Sequence, residues 1–154
     1  MVQANRGVSE NQYRRILYCG NRQRRMGYVI GDEEATITYA GAGSCHHLLN
    51  ALHAELLACV HGLTAAASQG MTCVVLEMDS QLVKLALETD SFALAEIGGV
   101  VYELKCLIRS SFGDFRVVFS PRSCNRVAHA VAALDCICSR DTLLYWEELG
   151  GYAQ

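Results

Sequence analysis

Two carboxylates and an imidazole are the side chains best suited to chemistry in this sequence. Glu55 lies in "HAELLACVHGL", Asp79 closes the apolar run "MTCVVLEMD", and His129 lies in "NRVAHAVAAL". Carboxylates brought together repel, so a fold tolerates such a cluster mainly where it holds a cation or shares a proton. Oxygen ligands suit Mg2+, which takes one or two carboxylates and keeps several waters. Glu55 and Asp79 are therefore the candidate ligands of a Mg2+ or Mn2+ ion, with His129 as a third member. Each has a plainer reading. Asp79-Ser80 fits the N-cap of a following helix, Glu55 suits a solvated surface, and one histidine on a helix says little.

The elements that would bring these residues together can be read from periodicity. "YRRILYCG" (Tyr13 to Gly20), "MGYVIGD" (Met26 to Asp32) and "ATITYAGAG" read as three strands of an antiparallel meander, the first two joined by the basic turn "NRQRR". From Asn50 to Gln69 apolar residues recur every three or four, which predicts a helix stopped at Gly70. Glu55 shares a side of that helix with Ala51, Ala58 and Gly62, small enough to let it approach a sheet. "MTCVVLEMD" reads as a central strand covered on both faces. A short helix runs through Leu87, a second carries Ile97 to Ile108, and "FRVVFS" is a fifth strand broken by Pro121. A last helix through Val127, Val131 and Leu134 is predicted, with Asn125 as its candidate cap. The order β-β-β-α-β-α-α-β-α predicts an α/β fold, a five-stranded mixed sheet with helices on its faces.

At 154 residues the chain is read as one domain, residues 13–149, with a basic arm (1–12) and a short tail (150–154). No stretch approaches the 18 or so apolar residues of a membrane span, and the first residues lack the apolar run of a signal peptide. A soluble intracellular protein, in cytoplasm or nucleus, with no membrane partner is expected. The eight cysteines include no C-x-x-C pair, which argues against a zinc site or disulfide framework. The net charge of −3 conceals an asymmetry: residues 1–31 carry six arginines and one glutamate. A basic arm on an acidic body is one way to meet phosphate. A solvated terminus explains the charge equally well.

The wording of the sequence adds to its pattern. "HAELLACVHGLTAAASQGMTCVVLEMDSQLVKLAL" followed by "SPRSCNRVAHAVAAL" closely resembles the plant reverse-transcriptase-like, retroelement-derived branch of the ribonuclease H family. The resemblance extends from about Tyr13 to Trp146 and implies a ribonuclease H-like fold. Members of that family hold two Mg2+ ions on four acidic residues and cleave the RNA strand of an RNA–DNA hybrid. The resemblance places two of those acids on Glu55 and Asp79 and the last on His129, which makes these three the candidate catalytic residues. The first-strand aspartate falls on Cys19, with Asp32 the nearest substitute carboxylate by sequence. Cysteine is a poor Mg2+ ligand, so one weakly held ion is expected rather than two. Arg22, Arg24 and Arg25 in the first turn, with Arg122 and Arg126 before the last helix, are the candidate nucleic-acid contacts.

Three functions compete. The first is a ribonuclease H-like nucleic-acid-binding domain whose metal site is degenerate and whose cleavage is weak or lost. The second is an active divalent-metal-dependent hybrid ribonuclease, and the third a non-catalytic module for a protein partner on the same fold. An unrelated small α/β redox or ligand-binding protein is the remaining alternative.

Overall fold

The computed structural model describes residues 14–21, 25–32, 34, 36–45, 47–124 and 143–147. One mixed sheet organises them. Its strands are β1 (Arg14–Asn21), β2 (Arg25–Gly31), β3 (Ile37–Ser44), β4 (Cys73–Met78), β5 (Asp114–Phe119) and β6 (Leu143–Glu147), in the spatial order β5-β4-β1-β2-β3-β6. β1, β2 and β3 form the antiparallel meander, while β4 joins β1 and β5 joins β4 in parallel. Parallel neighbours need crossover connections. Helix α1 (Ala51–Ser68) supplies the first, and α2 (Gln81–Glu88) with α3 (Gly98–Ser111) supplies the second.

The expected count of five strands is corrected to six. β6 runs antiparallel to the outer edge of β3, pairing Ala40 with Trp146. Its "LLYWE" run is short and lacks clean alternation, so periodicity alone does not separate it from a helix end. The last helix, from Asn125 to Leu134, lies outside the described residues, as do the arm at 1–12 and the tail at 150–154.

Helix α1 has both ends specified locally. The Asn50 side chain accepts the His53 amide at 2.9 Å, capping the first turn. At the other end Gly70 adopts a φ of 73°. That conformation lets Gly70 N–H reach Ala67 O (3.0 Å) and Met71 N–H reach Ala66 O (3.1 Å), the paired bonds of a Schellman stop. Between them Leu56, Ala58, Cys59, Gly62 and Leu63 are buried. A methyl group on Gly62 would lie 3.2 Å from the side chains of both Ile16 and Tyr28, so the helix packs tightly onto the side chains of β1 and β2. Tyr28 in turn lies over Gly41, its partner on β3.

β4 alternates more than a central strand covered on both faces would. Val74, Leu76 and Met78 are fully buried, but Val75 and Glu77 are only half covered. The glutamate already interrupts the apolar run, and it marks the less protected face. The core is built from the other face, by Ile16, Tyr28, Ile30, Leu56, Leu63, Leu76, Met78 and Leu104. Among the described residues no helix is long and apolar enough to cross a membrane.

A candidate metal and phosphate cleft

The end of β4 decides where the chemistry can be. After Met78 the chain leaves the sheet, and the Ser120 amide donates to Met78 O at 2.7 Å, tying the end of β5 to the same place. Ser80 is the cap of α2: its side chain accepts from the Val83 amide. Asp79 is therefore not the capping residue, which separates it from its plainer reading. It lines an open cleft of about 590 Å³ together with Glu55, Ser80, Phe119, Pro121 and Arg122.

Glu55 enters this cleft from the second turn of α1. Its carboxyl is held above the usual carboxylate range, first by burial and also by the Asp79 charge. A hydrogen bond with the Ser80 side chain and the positive charge of Arg122 oppose that rise. The Arg122 Nε lies 3.9 Å from Asp79 Oδ2. Arg122 stands on a single 3-10 turn, Arg122–Cys124, directly after Pro121. Two part-buried carboxylates and a guanidinium thus meet where α1 begins, β4 ends and β5 has just ended.

The other sequence candidates divide. Glu55, Asp79 and Arg122 come together. His129, Arg22, Arg24 and Arg126 lie outside the described residues. Arg25 pairs in the backbone register with Asn21 and Ser44, at the end of the sheet where β1 finishes. Leu17 pairs with Glu77, so Cys19 and Asp79 each come two residues later on neighbouring segments. The register thus brings the backbone of Cys19 to the same end of the sheet as Asp79. It also removes Asp32 as a substitute ligand. Gly31 pairs with Arg15, so Asp32 falls five residues, roughly 17 Å at strand spacing, from Cys19. Its carboxylate instead accepts the Thr36 amide at 2.8 Å, closing the turn between β2 and β3.

Ser80 is the site residue that sequence reasoning missed. Its only signal was adjacency to Asp79, because a cap gives no hint that the same hydroxyl reaches another helix. Cys59, one turn after Glu55, is fully buried, and burial followed by the Glu55 charge pushes its thiol up. It is packing, not a nucleophile.

The donor set can be tested against an ion. Two carboxylates with water suit one Mg2+ or Mn2+. Among the described residues no three His, Cys, Asp or Glu side chains gather as a metal cluster.

A family profile described as reverse transcriptase-like matches residues 16–134. The chain belongs to that reverse transcriptase-like family. The matched span of this reverse transcriptase-like domain runs from within β1 through β5 and leaves β6 outside. No curated protein matches the chain. Among solved structures, ribonuclease H1 of Halobacterium salinarum is similar at 25% identity, TM-score 0.63, over 80% of this chain and 97% of that one. The N-terminal ribonuclease H domain of a Mycobacterium tuberculosis protein has 21% identity and a TM-score of 0.69, over 79% and 91%. A compost-derived ribonuclease H1 solved with an RNA/DNA hybrid has 18% identity and a TM-score of 0.66, over 79% and 94%. The domain is ribonuclease H-like and related to RNA/DNA hybrid ribonucleases.

Proposed function

We propose that this domain binds RNA–DNA hybrid in the cleft at the end of β4, holds at most one divalent ion on Glu55 and Asp79, and cleaves weakly or not at all. The observation that carries this reading is the meeting of Glu55, Asp79 and Arg122 in one cleft at the end of β4. A divalent ion held there would supply Lewis-acid polarisation and charge neutralisation at a phosphoryl oxygen. The chain's own contributions are separable from it. Glu55 and Asp79 provide the oxygen ligands, Ser80 orients Glu55 through its hydroxyl, and Arg122 offers a planar fork to phosphate. Cys19 and His129 stand where the family pattern has carboxylates, and each removes a negative charge from the cradle. The same motif wording supports an origin in the plant, retroelement-derived branch.

The deciding experiment incubates the protein with an end-labelled RNA–DNA hybrid in Mg2+ and in Mn2+, beside Asp79→Asn. The expected result is hybrid binding with slow or undetectable cleavage. Brisk Mg2+-dependent cleavage that Asp79→Asn abolishes would replace this reading with an active ribonuclease. Absence of binding at low salt would remove nucleic acid as the ligand.

A further inference from the structure

We propose that Arg122 is a built-in counter-cation, standing beside Asp79 in the place of a divalent ion until nucleic-acid phosphate draws it away. This rests on the reading of Glu55 and Asp79 as the ion's ligands and adds a regulatory element to it.

The geometry of the pair carries the inference. The Nε to Oδ2 separation is 3.9 Å, too long for a directional hydrogen bond. Charge rather than fixed geometry holds the guanidinium there. The two partners differ in exposure: the Asp79 side chain is 17% exposed and that of Arg122 is 72% exposed. A sheltered anion at the end of β4 is thus paired with a cation at the mouth of the cleft. The base of the arginine is anchored, because Ser120 is bonded to Met78 O and the Pro121 ring limits the backbone between them. What remains adjustable is the long side chain.

An ion at its usual distance of about 2.1 Å from an Asp79 oxygen would face a like charge a few ångströms off. Ion and guanidinium therefore oppose one another in the free protein. A phosphate diester at the mouth changes the balance. Guanidinium matches two phosphate oxygens bidentately, and once so engaged it no longer neutralises Asp79. With the guanidinium drawn off, less positive charge opposes an ion beside Asp79, so ion and nucleic acid favour each other's binding, reciprocally. Arg122 is a positioning residue in this scheme, acting through Asp79.

Mn2+ binding followed by electron paramagnetic resonance tests this without any reliance on activity. The protein is titrated alone and with a hybrid whose RNA strand is 2′-O-methylated to resist cleavage. In the free protein Arg122→Gln is expected to tighten Mn2+ binding by roughly two- to fivefold, the range of an exposed ion pair. Arg122→Lys, which keeps the charge, is expected to stay near the natural protein. Hybrid is expected to tighten Mn2+ binding by the natural protein more than by Arg122→Gln. Glu55→Gln is expected to lose the ion. If Glu55→Gln loses Mn2+ while Arg122→Gln leaves it unchanged or weaker, the metal site stands and the counter-cation is overturned. If Glu55→Gln binds Mn2+ as the natural protein does, the ion is elsewhere, and both the site reading and the counter-cation fall.

Discussion

The Ser80 hydroxyl accepts the Val83 amide at 3.4 Å to cap α2 and also stands beside Glu55 on α1, where it works against the rise that burial gives that carboxyl's pKa. The cap of one helix is therefore also the support of a carboxylate on another. Ser80→Ala is expected to cost about 1 kcal/mol, the usual loss of an N-cap, in urea denaturation near neutral pH. The same change in a Glu55→Gln background is expected to cost measurably less or more than in the natural protein, because contacting residues are coupled. Strict additivity would mean that the two side chains do not interact.

Restoring the missing charges is expected to restore catalysis. Cys19→Asp with His129→Asp is expected to raise Mg2+-dependent hybrid cleavage by about tenfold or more, equivalent to about 1.4 kcal/mol of barrier. Asp79→Asn in that background is expected to remove the gain. A gel assay of labelled hybrid reads both. Because Asp32 lies at the far end of β1 and β2, Asp32→Asn is expected to leave cleavage unchanged.

Binding is expected to be electrostatic and tolerant of sequence. Each arginine that meets a phosphate adds roughly 0.7–0.9 to the slope of log affinity against log salt. Arg25→Ala and Arg126→Ala are expected to lower that slope, as measured by fluorescence anisotropy between 50 and about 200 mM salt. A flat salt response would contradict a phosphate-directed interface.

A pH dependence follows from His61 on α1. Burial lowers its pKa below the ordinary value of 6.5, with the Glu103 charge opposing the shift. Below pH 6.5 the unfolded chain takes up a proton that the folded protein resists. This histidine's contribution to stability therefore falls as pH drops from 6.5 towards its folded-state pKa, and is unchanging above 6.5. His61→Gln is expected to flatten this part of the stability profile, measured by denaturant midpoints between about pH 5 and pH 8.

Much of the scaffold was legible in the sequence because its signals are local. Asn50, Gly70 and the apolar stripe between them specify α1 without reference to anything distant. The Leu56 to Leu63 stripe and the Val74 to Met78 run likewise placed Glu55 and Asp79 on the right elements. What was not legible depended on register and long-range approach. Asp32 looked like a neighbour of Cys19 until the β1–β2 pairing put them at opposite ends of a hairpin. The split between Ser80 as cap and Asp79 as cleft residue turns on backbone conformation at one step of the chain, which residue types do not decide. The contact of Arg122 with Asp79 joins segments 43 positions apart and leaves no periodic trace.

The sixth strand has a consequence for the order in which the molecule is made. Ala40 and Trp146 pair although 106 positions separate them. During synthesis the outer edge of β3 emerges well before β6, the partner that follows it so much later in the chain. Throughout that interval its free amides and carbonyls are open to any other extended chain, the usual hazard of an unpaired edge. Nascent chains stalled before Leu143 should accordingly associate with one another more readily than chains extended past Glu147.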